Sequence, residues 1–122
     1  MSTILGIDPG LRVTGYGVIH QEKQNLTYES SGTIITTKQD LDLAARIKII
    51  VAGIDEVIEK FSPSIVAIEK VFVNTNPQST LLLGQARGAA IAAVVSKEIN
   101  IYEYTALQIK KSVVGNGHAD KL

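Results

Sequence analysis

Residues 64 to 69, Ser-Ile-Val-Ala-Ile-Glu, are a nearly continuous apolar run that follows Pro63 and ends in a carboxylate. A strand so apolar is buried on both faces, as strands are when helices cover a parallel sheet. The flanking periods say what does the covering. Residues 3 to 8, Thr-Ile-Leu-Gly-Ile-Asp, make a second short apolar run, stopped by Pro9-Gly10 as expected of a buried strand ending in a turn. Residues 13 to 20 and 26 to 37 are rich in β-branched and aromatic side chains and read as two more strands of a meander. From Asp40 to Phe61 the period changes. Leu41, Ala44, Ala45, Ile47, Ile50, Val51, Ile54, Val57 and Ile58 recur at helical spacing, which predicts an amphipathic helix stopped by Pro63.

A second helix is predicted over 78–97 after Pro77, then a strand over 99–104 and a third helix from 106 to about 114. The order β-β-β-α-β-α-β-α, with strands and helices alternating late in the chain, favours parallel pairing through right-handed crossovers. An α/β layer sandwich is the natural architecture. The 122 residues suit one domain. His118 to Leu122 read as the opening of a further helix that the sequence does not continue.

Composition narrows the chemistry. Without cysteine, and with two histidines far apart, the chain has neither a disulfide framework nor the ligands of a zinc cluster, so any metal must be held by oxygen. No basic lead with an apolar core opens the sequence and no apolar stretch is long enough to cross a bilayer, which makes a cytoplasmic location the expectation. The net charge is zero, a mild argument against nucleic-acid binding unless the cations are localised. Acidic residues are dense between Asp40 and Glu59, while Arg87, Lys110, Lys111 and Lys121 lie in the last third, where Glu98, Glu103 and Asp120 read as solvated charges.

Two carboxylates stand apart. Asp8 ends the first strand in Gly6-Ile7-Asp8-Pro9-Gly10, a placement that suits an oxygen-ligated divalent cation, although Asp also bonds its own turn routinely. Glu69 ends the fourth strand and is either a solvated charge at a strand exit or a second ligand. If the two strands are parallel neighbours, their ends lie about 4.8 Å apart, within reach of one ion. Carboxylates so paired can clamp two ions about 3.5 to 4 Å apart, the arrangement that activates water for in-line phosphodiester hydrolysis. A third and fourth carboxylate would be expected, and no later acidic residue has an evident claim.

Gly84, Ala86, Gly88, Ala89, Ala90, Ala92 and Ala93 crowd the second helix. Glycine inside a helix costs about 1 kcal/mol relative to alanine, so close approach of another backbone is the natural compensation. That backbone belongs either to the sheet or to a second subunit.

Gly6-Ile7-Asp8-Pro9-Gly10 with Thr14-Gly15-Tyr16-Gly17-Val18, then Ala67-Ile68-Glu69-Lys70-Val71-Phe72, then Leu83-Gly84-Gln85-Ala86-Arg87-Gly88, then Glu103-Tyr104 and Lys110-Lys111-Ser112-Val113-Val114-Gly115 occur in the order and spacing of the RuvC family of Holliday junction resolvases. The chain resembles that family along its whole length. The resemblance implies an RNase H-like layer sandwich, a mixed five-stranded sheet of order 3-2-1-4-5 with helices on both faces. It implies a crossover junction endodeoxyribonuclease of recombination and repair, a homodimer dependent on Mg²⁺, two ions per complete site, that binds four-way junction DNA and nicks two strands of like polarity symmetrically. A branch-migration helicase complex of RuvA and RuvB is the implied partner.

Residue by residue, the resemblance implies that Asp8 and Glu69 are catalytic metal ligands. It implies that Phe72 stacks on a base unpaired at the branch point, a contact worth about 1 to 3 kcal/mol; the alternative is a core Phe covering the sheet end. Lys110 and Lys121 match family lysines near the scissile phosphate, where a cation steadies developing charge, and would otherwise pass as surface lysines. Arg87 either contacts DNA phosphate or serves packing at its helix. In the family two further acidic residues, in an Asp-x-x-Asp pattern on a final helix, complete the ligand set. That helix would follow Leu122, so the expectation is a single nuclease domain over 1–122 whose C-terminal part is absent and which by itself cleaves very poorly. Two rivals stand beside this reading: a non-catalytic junction-binding module and, more remotely, an actin-like phosphate-binding domain.

Overall fold

The computed structural model describes residues 2–37, 41–69 and 77–104. In chain order they form β1 (Ser2–Asp8), β2 (Val13–Glu22), β3 (Asn25–Ile35), α1 (Leu43–Phe61), β4 (Ile65–Glu69), α2 (Pro77–Val95) and β5 (Asn100–Tyr104). The predicted order of elements holds through β5; the helix expected over 106–114 lies outside the described residues.

All five strands join one sheet of order β3-β2-β1-β4-β5. β1–β2 and β2–β3 are antiparallel, while β1–β4 and β4–β5 are parallel. This is the mixed RNase H-like sheet. Alternation along each strand selects its inner face. Leu5 and Ile7 of β1, Val18 of β2, Ile34 of β3, and Val66 and Ile68 of β4 are buried with Ile50, Ile54, Val57 and Ile58 of α1 and Ala86, Ala89, Ala90, Ala93 and Val94 of α2. The two helices also pack on one another. Alanines on the inner side of α2 let it approach closely, so the small-residue run serves the core in part.

Helix boundaries are set by capping. α1 starts after Asp42, whose carboxylate accepts from the Ala45 backbone N–H at 2.8 Å, a typical N-cap arrangement. The expected start at Asp40 lies outside the described residues. The same helix ends at Ser62, in the left-handed region with φ 48°, whose N–H donates to the Ile58 carbonyl. Proline at 63 therefore follows a cap already made, as is common just past helix ends. α2 begins at Pro77 itself, because a proline in the first helical turn gives up an N–H that has no partner in the helix.

One close approach ties α1 to the sheet. A methyl added to Gly53 would come within 2.8 to 3.0 Å of three side-chain carbons of Ile34. The glycine in mid-helix thus admits a β-branched side chain from β3.

Candidate active site

Asp8 and Glu69 are brought side by side by register. Ile7 pairs with Ile68 across the parallel β1–β4 ladder, so the next residues, Asp8 and Glu69, end neighbouring strands at the same level. Alternation places both on the sheet face opposite Leu5, Ile7, Val66 and Ile68. The carboxyl groups are within hydrogen-bonding reach of each other. Asp8 is exposed and Glu69 half-buried. On the other side of Asp8 its antiparallel partner is Gly15, so no side chain crowds the carboxylate from β2.

The turn after β1 is held by other groups. Thr14, fully buried, accepts from the Gly10 N–H at 3.2 Å and donates to the Gly10 carbonyl at 2.7 Å. Thr36, also fully buried, donates to the Leu11 carbonyl, and its backbone N–H donates to the Arg12 carbonyl at 2.9 Å. Arg46 of α1 then donates to the Thr36 carbonyl at 2.6 Å. Asp8 thus emerges from a loop braced by two threonines and an arginine.

Burial, then the charge of Asp8 and a hydrogen bond shared with it, push the Glu69 carboxyl above its ordinary value. A folded-state value above the unfolded one means that the folded protein binds this proton more tightly. The associated stabilisation is therefore present below the ordinary carboxylate range and is lost as pH rises through the raised value. Without divalent ions, Glu69→Gln is expected to melt at a higher temperature than the parent at pH 7. The gap should close as pH falls through the raised value and vanish below the ordinary range. A Tm series against pH by circular dichroism checks this, and a pH-independent gap would contradict the pairing.

Two adjacent carboxylates, one held back from ionising by burial and by the charge of the other, fit an oxygen-ligated divalent cation. Among the described residues no group of three or more His, Cys, Asp or Glu comes together.

Arg87 lies on α2, half-buried, and its guanidinium faces protein. Its Nε donates to the Glu69 backbone carbonyl at 3.4 Å and its Nη2 is ion-paired with Oε2 of Glu103. Glu103 pairs in register with Ile68, on the helix-side face of the sheet. It is thus a partner of Arg87 and not a merely solvated charge, an assignment that sequence spacing does not signal. Phe72, Lys110 and Lys121 lie outside the described residues.

Residues 4–122 match the family described as crossover junction endodeoxyribonuclease RuvC. The chain belongs to the RuvC family. A RuvC of Nitrosomonas eutropha is 61% identical over 118 residues, covering 97% of this chain and 65% of that protein. A RuvC of Methylobacillus flagellatus is 61% identical over 122 residues, covering 97% of this chain and 68% of that protein. The chain thus spans about two thirds of the length of these RuvC relatives. Among solved structures, a Thermus thermophilus RuvC in complex with Holliday junction substrate superimposes with a TM-score of 0.85 at 29% identity, covering 99% of this chain and 73% of that one. The yeast mitochondrial Holliday junction resolvase Ydc2, at 15% identity and a TM-score of 0.69, shares the fold. No described helix is long and apolar enough to cross a membrane.

Proposed function

We propose that this chain is the RNase H-like nuclease domain of a structure-specific endonuclease that resolves Holliday junctions in recombination and repair. The carrying observation is the Asp8–Glu69 pair, two carboxylates set side by side by the parallel β1–β4 register. The RuvC of Thermus thermophilus solved on a Holliday junction substrate supports four-way DNA as the substrate.

In this reading Asp8 and Glu69 hold Mg²⁺, two ions in a complete site, with further carboxylates from the remainder of the family's length. When bound, the ions supply activation of water and stabilisation of both oxygens of the scissile phosphodiester. The chain's own residues do the rest. The loop braced by Thr14 and Thr36 fixes Asp8, and Gly15 leaves room beside it. Phe72 stacks on an unpaired base, and Lys110 and Lys121 approach the scissile phosphate. The product is a pair of symmetric nicks in strands of like polarity. RuvA and RuvB are the proposed partners, in the cytoplasm.

The test is single-turnover cleavage of a synthetic mobile four-way junction by the full-length protein, with a linear duplex of the same sequence as control. Paired nicks on strands of like polarity with Mg²⁺, and none in EDTA, are expected. Equal cutting of the linear duplex would overturn the reading. The two-carboxylate count among the described residues favours a second behaviour for a polypeptide limited to residues 1–122, binding without efficient cutting, and the same assay reads it.

The outward side of α2 supports a homodimer. Leu81, Gly84, Gly88, Ala92 and Val95, spaced by three and four residues, form one exposed apolar stripe, with Leu81 62% and Val95 54% exposed. It lies opposite the buried alanines. A helix apolar on both sides needs cover on both, and a second copy of this chain is the proposed cover. Among the described residues a Cβ added at Gly88 meets nothing within 4 Å, so Gly88→Leu is expected to leave the monomer folded and shift the dimer toward monomer. Light scattering with a melting control reads both. An unchanged dimer mass would remove this helix from the interface.

A further inference from the structure

We propose that Arg87 and Glu103 form a latch that positions Glu69, with Arg87 acting as a positioning residue and not as a contact for DNA. The proposal rests on reading Asp8 and Glu69 as the divalent-cation site. Glu69 is the last residue of β4 and pairs with Tyr104, the last residue of β5. The Glu69 carbonyl receives the Nε of Arg87, while Nη2 of the same guanidinium is anchored on Glu103 of β5. One planar fork therefore joins the middle of α2 to the ends of two adjacent parallel strands.

The direction of the contact separates the two roles. Ile68 and Glu103 are register partners on the helix-side face, whereas the Glu69 and Asp8 side chains project from the other face. Arg87 reaches the Glu69 main chain from behind the carboxylates. Its side chain is 19% exposed and shares its charge with Glu103, so a phosphate at the carboxylates would have to draw it away from both partners. Fixed donors in a fork suit this bridge, and a lysine, a single flexible point charge, cannot reproduce it. Groups that orient a metal ligand without touching the metal typically change metal affinity by about 10- to 100-fold when removed.

The experiment measures Mn²⁺ affinity by paramagnetic resonance titration of the full-length protein, alongside junction binding by gel shift in EDTA. Variants are Arg87→Lys, Glu103→Ala, Glu103→Gln and Asp8→Asn, with thermal melts throughout. Arg87→Lys and Glu103→Ala should each weaken Mn²⁺ binding about tenfold, while Glu103→Gln, which still accepts from Arg87, keeps affinity near the parent's. Junction binding without metal should be unchanged in all three. Unchanged Mn²⁺ affinity in Arg87→Lys overturns the latch and leaves the metal site standing. Loss of metal-free junction binding with Mn²⁺ affinity intact makes Arg87 a DNA contact and also overturns it. Parent protein with no Asp8-dependent Mn²⁺ binding overturns both readings. Should Arg87→Lys fail to fold, Glu103→Ala decides by the same criteria.

Discussion

Asp8→Asn is expected to abolish junction cleavage while leaving junction binding and the fold intact. Asparagine keeps the shape of the side chain and removes the negative charge that a divalent ion requires. The residue is exposed at the end of β1, and its turn is closed by Thr14 through both polar groups of Gly10, so nothing in the loop depends on the Asp8 charge. The loss falls on the reaction. Removing a ligand that orders both the attacking and the leaving oxygen costs several kcal/mol of transition-state stabilisation, or roughly several orders of magnitude in rate. In the proposed reading, binding rests on cationic and shape contacts that this change does not touch, and loss of a carboxylate that repels phosphate would strengthen it slightly. Glu69→Gln should behave alike. A paired gel shift and single-turnover assay, with circular dichroism as folding control, reads all three quantities. Cutting at near the parent rate would end the metal-site reading, and a variant that unfolds would make Asp8 a structural residue.

Gly10→Ala carries the largest expected effect on stability. A Cβ at this position would overlap the carbonyl oxygen of Val13 and lie 3.3 Å from its carbonyl carbon. Both are main-chain atoms at the start of β2, and backbone cannot swing aside as a flexible side chain can. Relief would require moving the turn, at the expense of the two hydrogen bonds between Gly10 and Thr14. Overpacking typically costs 1 to 3 kcal/mol, and a backbone clash belongs at about the upper end. For a domain of this size that corresponds to a fall in Tm of roughly 10 °C or more. Gly15→Ala is the control, since its added Cβ would meet only the Asp8 Cβ, at 3.9 Å, and should melt within a few degrees of the parent, about 0.5 kcal/mol or less. Thermal denaturation of the three proteins decides the matter. Equal melting of Gly10→Ala and parent would show that the turn can relax at no cost.

Much of this architecture was written in local pattern. The nearly unbroken apolar run before Glu69 announced β4, although among the described residues only its helix-side face, at Val66 and Ile68, is fully buried, and the change from period two to helical period around residue 40 separated the meander from α1. These signals are local because alternation and helical spacing are properties of a few consecutive residues. The motif segments, taken together, also carried the family. Capping detail was not legible to the residue: the helical period was read from Asp40, and it is the Asp42 carboxylate that accepts from the Ala45 N–H.

What tertiary structure alone decided is who meets whom. Asp8 and Glu69 are 61 residues apart in the sequence. A slip of one residue in the β1–β4 register would send one carboxylate to the opposite face, and no local feature of either strand sets that register. The same holds for Arg87 and Glu103, which read as two ordinary charges until α2 is laid over β4 and β5. It holds for Gly10 as well, whose reason for lacking a side chain is a carbonyl three residues on that the turn folds back against it. Local sequence specifies the elements because it acts through neighbouring residues. The site arises from packing, which brings distant residues into contact and gives their charges an effect on one another.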